Sequence, residues 1–236
     1  MRVGTHRATK AKVAVKCTLR EKIQAYDDAV VYSEVSVLAT LKHNNDFFIQ
    51  DDCYFIVIEH MDGGDLFDRL GHKSTCNEED ARDLVCKLLE AVAFLHDNNI
   101  AHCDLKHTNL LLKTKEDDSF IKLADFGFAA RVYAPNSLSD QCGTPYFVAP
   151  EIILRKPFGE KSDMWSVGAI VYCLLAGRVP FNDRRNVDLF RAVVNCEYTF
   201  DADFDSISEN VKDLIKSLLV VDPSQRMSAR EALHSK

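Results

Sequence analysis

The periodicity of the apolar residues changes at Met61-Asp62-Gly63-Gly64, and that change limits the folds open to this chain. Before it, Val13, Val15 and Cys17 alternate, so residues 1–17 predict a basic hairpin of two strands. The run 54–58, Tyr-Phe-Ile-Val-Ile, predicts another strand, and Val30, Val31, Val35, Leu38 and Leu41 predict one helix over 24–41. After the glycines the pattern is mostly helical. Glu78 to His96 carries Ala81, Leu84, Val85, Leu88, Leu89, Val92 and Leu95 on one face, and further helices are predicted near 162–176, 186–194, 208–220 and 228–235. Residues 110–112 and 120–123 predict two short strands around a polar turn, Lys113 to Ser119.

Composition narrows the function classes. The chain has 236 residues, enough for one large domain or two closely joined lobes. A formal charge of −7 argues against a nucleic-acid binder, which normally carries a basic face. The cysteines at 17, 53, 76, 86, 103, 142, 173 and 196 are scattered with no Cys-x-x-Cys pair, which predicts a reduced, intracellular compartment. Arg2, Arg7, Lys10, Lys12 and Lys16 precede the first acid at Glu21, the charge pattern of a transit peptide, but the alternation over 13–17 favours a strand. No secretory signal is visible. The longest apolar run, Met164 to Gly177, is too short to span a bilayer and predicts a buried helix.

The chemistry concentrates in residues 100–112, Ile-Ala-His-Cys-Asp-Leu-Lys-His-Thr-Asn-Leu-Leu-Leu. Asp104, Lys106 and Asn109 place a proton acceptor, a cation and an amide ligand within six residues, a set suited to phosphoryl transfer. A zinc reading of His102, Cys103, Asp104 and His107 is disfavoured, because these residues are too closely spaced for a usual structural site. Sixteen residues beyond Asn109 stands Asp125-Phe126-Gly127, then Ala149-Pro150-Glu151, and upstream lies Val13-Ala14-Val15-Lys16.

In this order the four motifs resemble the eukaryotic protein kinase signature, over the whole of residues 1–236. The resemblance implies an α+β bilobal fold, with a small, incomplete β-rich lobe over 1–60 and a larger mainly helical lobe over 61–236. It implies ATP and Mg²⁺ as the bound groups. Lys16 would hold the nucleotide phosphates and pair with Glu34, and Glu59, Met61, Asp65 and Leu111 would complete the nucleotide site. Asp104 would accept or orient the substrate hydroxyl proton, Lys106 would neutralise charge on the moving phosphoryl group, and Asn109 and Asp125 would hold the metal. Glu151 and Arg226 would form a structural ion pair, and Asp163 would brace the catalytic loop.

Lysine two residues after the catalytic aspartate, and Thr144 in Cys-Gly-Thr-Pro, resemble serine/threonine kinases rather than tyrosine kinases. Phe67-Asp68-Arg69-Leu70 after Gly-Gly-Asp-Leu, and Ser162-Asp-Met-Trp-Ser-Val-Gly, resemble the calcium/calmodulin-dependent group. The expected partners are protein substrates with basic residues near the phosphorylated hydroxyl. Asp65 matches an acidic position that reads arginine three places upstream, while Thr108 and Cys173 stand where acids reading the next place would be. The expected compartment is the cytoplasm, with the nucleus left open.

The chain departs from the family pattern in several places. Met1 stands where a valine of the first hairpin would be, so the Gly-x-Gly-x-x-Gly loop falls outside this sequence. A partial gene model or a short isoform would explain that edge, and a chain of this extent is expected to bind ATP weakly. Lys42-His43-Asn44-Asn45 runs directly into Asp46-Phe47-Phe48, which predicts that an apolar strand is deleted there. The chain also stops short of the family's final helix. Cys103 replaces the catalytic-loop arginine, and Val30 and Ala130 replace two further basic positions that grip an activation-loop phosphate in many kinases. Two rival readings remain. One is a nonenzymatic kinase-fold protein that binds partners; the other, a small-molecule kinase, is disfavoured by the Gly-Thr-Pro and Ala-Pro-Glu segments.

Overall fold

Alternation governs the first sixty residues of the computed structural model, which describes residues 1–19, 25–41, 46–66, 76–114, 120–183 and 185–235, with backbone alone for 25–30. Phe67 to Leu70, Lys42 to Asn45, residues 115–119 of the polar turn and the side chain of Val30 lie outside the described residues. Strands β1 (Arg2–Thr5) and β2 (Lys12–Leu19) form the expected hairpin, in register from Arg2↔Val15 to Thr5↔Lys12. Helix α1 (Ala25–Thr40) follows, with Val31, Val37 and Leu38 buried.

The sequence-based expectation has no strand over 46–50, and the fold places one there, directly after the point where family strand residues are lacking: β3 (Asp46–Gln50) pairs with β4 (Cys53–Glu59) around a turn at Asp51-Asp52. Asp51 supplies the left-handed residue the turn needs (φ 52°), a conformation aspartate tolerates better than most side chains. Aromatic pairs hold the register, with Phe48 stacked on Phe55 at 4.9 Å between ring centroids and Phe47 on Tyr54 at 6.1 Å. The described sheet runs β1-β2-β4-β3, all antiparallel.

The chain leaves this sheet through Gly63, against which the larger lobe packs. A Cβ at Gly63 would stand 2.5 Å from both the Leu112 side chain and the Thr114 carbonyl oxygen, so only glycine permits the approach. Helix α2 (Glu78–Asp97) starts where the Asn77 side chain accepts the Asp80 N–H at 2.8 Å, with Glu78, Glu79 and Asp80 favouring its positive end. Short strands follow: β5 (Ile100–Ala101), β6 (Leu110–Leu112), β7 (Ile121–Leu123) and β8 (Ala130–Arg131), paired β5 with β8 and β6 with β7.

Helices α3 (Pro150–Ile153), α4 (Lys161–Ala176), α5 (Asn186–Asn195), α6 (Glu209–Leu218) and α7 (Ala229–Leu233) complete the lobe. Helix α3 has no counterpart in the sequence-based expectation, and α6 and α7 are shorter than predicted. Helix α4 is apolar all round and buried along almost its whole length, so it forms the axis of the core. Its Gly168 lets α6 pack closely, since a Cβ there would come within 2.9 Å of Leu218. The result is the expected bilobal α+β arrangement, a small strand-rich lobe on a larger helical one. Among the described residues, no helix is long and apolar enough to cross a membrane.

Candidate active site

Residues far apart in sequence converge on one cleft between the lobes. Lys16 projects from β2 and donates to both carboxylate oxygens of Glu34 on α1, each at 2.8 Å. The lysine Nζ also lies 3.6 Å from Asp125 Oδ1, which follows β7. A Cβ at Gly127 would sit 3.4 Å from Asp125 Oδ1 and 3.5 Å from Lys16 Nζ, so glycine keeps this corner open.

The loop between β5 and β6 carries the second cluster. Asp104 accepts the Thr144 hydroxyl at Oδ1 (2.7 Å) and the Lys106 ammonium at Oδ2 (2.6 Å). Lys106 also reaches the Thr144 oxygen at 3.3 Å. Asn109 closes the loop by donating its side-chain N–H to the Asp104 carbonyl at 2.9 Å, and its own carbonyl accepts the Ala124 N–H at 2.9 Å. That last bond couples the loop to the Asp125 turn.

Asp163, in the first turn of α4, holds the loop from beneath. Its carboxylate accepts the main-chain N–H groups of His102 (2.8 Å) and Cys103 (2.9 Å), and His96 Nε2 lies 3.0 Å away. Burial pushes the Asp163 carboxyl upward, but the hydrogen bonds and charge of His96 and the bond from His102 outweigh it and hold it below the ordinary range. Cys103 sits in the left-handed region (φ 65°), a strain held by these bonds. Burial lowers the His102 pKa and keeps its ring neutral; Nε2 lies 3.2 Å from the Ala124 carbonyl, and the ring packs on Phe126 at 5.1 Å.

Between the lobes lies a cavity of about 370 Å³ whose wall includes Lys16, Glu34, Glu59, Met61, Asn109, Leu111 and Asp125. Those seven expected site residues are thus brought together. Asp65 is absent from the wall but is bridged to Leu111 beside it, and Asp104 and Lys106 face Thr144 instead. The sequence reading missed the apolar wall of Leu38, Ile56, Ile58 and Phe126. Ile56 and Ile58 could have been found by alternation along β4. Lys122, which pairs with Glu59 across the cleft, carried no local signal. The zinc reading loses its geometry, because His102 faces Ala124, Asp104 pairs with Lys106 and His107 packs on Phe147 at 5.1 Å.

Residues 126–150, which the resemblance makes the activation segment, are held by contacts with the rest of the lobe. Leu138 bridges to Phe158, Thr144 bonds Asp104, and Glu151 beyond the segment pairs with Arg226. The Arg131 guanidinium is engaged by the Thr40 hydroxyl. Ser137 and Ser139 are exposed. A phosphate orders a loop through bonds to cations, and Cys103 and Ala130 offer none. Ser137→Ala and Ser139→Ala are therefore expected to change turnover by no more than about twofold, within the usual effect of a surface substitution. A large loss in a steady-state assay would contradict this.

A family model described as the protein kinase domain matches residues 2–236. Calcium/calmodulin-dependent protein kinase type 1 of Caenorhabditis elegans is 39% identical over 226 residues, covering 93% of this chain and 64% of the relative. The type IV enzyme of Mus musculus is 44% identical over 214 residues, covering 88% and 46%. The type 1B enzyme of Homo sapiens is 39% identical over 237 residues, covering 98% and 68%. The chain thus spans from 46% to 68% of the length of these curated relatives.

Proposed function

The chain belongs to the protein kinase family, and from that membership we propose that it transfers the γ-phosphoryl group of ATP to serine or threonine hydroxyls of proteins. One observation carries the reading: the Lys16–Glu34–Asp125 cluster and the Asp104–Lys106–Thr144 cluster are coupled through Asn109 at one cleft. Lys16, held by Glu34, presents a cation to the phosphates. Asp104 orients the attacking hydroxyl and takes its proton, while Lys106 offsets charge on the moving group. Thr144 shields Asp104 on the other side and matches the serine/threonine pattern.

The residues present also suit a divalent cation. Asn109 and Asp125 offer hard oxygens to one cavity. That is the donor set expected of Mg²⁺ bound jointly with substrate phosphates. Asn109 and Asp125 would hold it, and when bound it neutralises phosphate charge. Asp125→Ala should therefore abolish the Mg²⁺-dependent part of ATP binding. Titration with and without Mg²⁺ tests this, and an unchanged Mg²⁺ effect would remove Asp125 from the assignment.

Substrate choice follows from charge near the cleft. Asp65 is half-buried beside Leu111, at the position that reads arginine three places before the phosphorylated residue in related kinases. Thr108 is exposed but uncharged, and Cys173 is buried in α4, so neither adds a second acidic reader. Peptides with that arginine should be favoured roughly tenfold, the worth of one charge-assisted bond of about 1.5 kcal/mol. The functional test is a serine/threonine/tyrosine peptide library with Mg·ATP, using wild-type chain and Asp65→Ala. Incorporation on serine and threonine with a basic preference lost in Asp65→Ala is expected; binding of ATP without any transfer would favour the partner-binding reading. The scattered spacing of the eight cysteines, with no Cys-x-x-Cys pair, suits a reducing, intracellular setting.

A further inference from the structure

Two thiols meet at the seam between the catalytic loop and the activation segment. Cys103 stands where related kinases carry the arginine that grips an activation-loop phosphate. Its N–H is held by Asp163 and its left-handed backbone fixes the side-chain direction. Cys142 belongs to the activation segment, two residues before Thr144, and packs against the core cluster that contains Cys103. The Cys103 thiol donates to the Ala101 carbonyl at 3.7 Å, and the Cys142 side chain lies near enough to raise its pKa. The backbones approach closely as well: a Cβ at Gly143 would stand 3.4 Å from the Cys103 carbonyl oxygen. Both thiols are free.

We propose that Cys103 and Cys142 form a disulfide in response to hydroperoxides, fastening the activation segment to the catalytic loop where an arginine–phosphate contact would otherwise do so. Cys142 is the more exposed sulfur and meets the oxidant first. Its thiolate attacks a peroxide oxygen, the O–O bond breaks, and the products are a sulfenic acid on Cys142 and one water or alcohol. The Cys103 sulfur then attacks the Cys142 sulfur, forming the S–S bond and expelling hydroxide, which takes the Cys103 proton to leave as water. Each sulfur loses one electron, and the peroxide gains the pair. Interaction with Cys142, followed by burial, holds the Cys103 thiol well above its ordinary range, so Cys103 acts as the resolving thiol rather than the one first oxidised. Closing the bond brings the sulfurs to about 2.05 Å, and Thr144, which bonds Asp104, then cannot leave the loop.

The test treats the reduced wild-type chain with hydrogen peroxide, blocks remaining thiols by alkylation and maps tryptic peptides by mass spectrometry. Cleavage after Lys106 and Arg131 separates the two cysteines. The expected result is a linked pair of peptides carrying Cys103 and Cys142, lighter by two hydrogens than the sum of the free ones and released by dithiothreitol. Cys17 and Cys53 are diagonal neighbours across β2 and β4, and Cys17→Ser removes this second thiol pair as a source of confusion. Cys142→Ser should lose the link and leave Cys103 fully alkylatable; in Cys103→Ser, Cys142 should advance to sulfinic acid. Absence of the linked peptide in wild type, with Cys142 oxidised further or both thiols still alkylatable, would overturn the proposal. The readout is on the chain itself, so it succeeds or fails independently of phosphoryl transfer.

Discussion

Asp104→Asn is expected to lower turnover by ~10²–10⁴-fold, the usual worth of a positioned general base, while ATP affinity stays near wild type. The two effects separate because Asp104 faces Thr144 and Lys106 rather than the nucleotide cavity. Asparagine keeps the size of the side chain and one acceptor for the Thr144 hydroxyl, but it cannot hold a proton taken from a substrate. The asparagine also leaves Lys106 without its carboxylate, though that ammonium is partly exposed and water compensates it. Steady-state kinetics with saturating ATP, alongside a melting curve, measures both consequences. Near-normal turnover in Asp104→Asn would sink the assignment of Asp104 as the catalytic base.

Arg226→Met should have the largest effect on stability. The Arg226 side chain is fully buried and makes a bidentate pair with Glu151 at 2.9 and 3.0 Å. It also donates to the carbonyls of Lys161 (2.6 Å) and Val220 (3.0 Å) and stacks over Trp165 at 5.3 Å. Methionine fills much of the space but leaves the Glu151 carboxylate buried and uncompensated. Removing one partner of a buried pair costs about 3–5 kcal/mol. For a chain of this size each kcal/mol moves the melting temperature by about 2–4 °C, so a fall of roughly 6–20 °C is expected. The Glu151→Leu/Arg226→Met double variant should recover part of that loss, because the desolvated charge is then gone. A fall under ~1 kcal/mol in the single variant would show that water reaches Glu151 and that the pair is not the clamp described here.

Much of the chemistry was legible in the sequence because it is local. Asp104, Lys106 and Asn109 lie within one turn of chain, and the Asp125-Phe-Gly tripeptide follows at fixed spacing. Long periodic segments were equally readable: the apolar face predicted over Glu78 to His96 is the buried face of α2. Strand β3 has no counterpart in the sequence-based expectation, because its short run lacks the apolar residues that would precede Asp46. Its true signals were the Asp-Asp turn and the aromatic pairs with β4, and the latter exist only once two strands are aligned.

What the sequence determined by itself is the inventory of reactive side chains and the periodicities that divide strand from helix, both set by neighbours a few residues apart. Only the tertiary structure decided how those side chains meet, including pairs such as Lys16–Glu34 that the family resemblance had implied. Glu34 reaches Lys16 because α1 packs on the sheet; Thr144 reaches Asp104 across 40 positions, and Lys122 reaches Glu59 across 63. The Cys103–Cys142 contact likewise depends on the fold of the activation segment. Hydrogen bonds and ion pairs act over a few ångströms, whereas periodicity reports only which face a residue shares. Contacts between distant segments are therefore fixed by packing, and no local pattern encodes them.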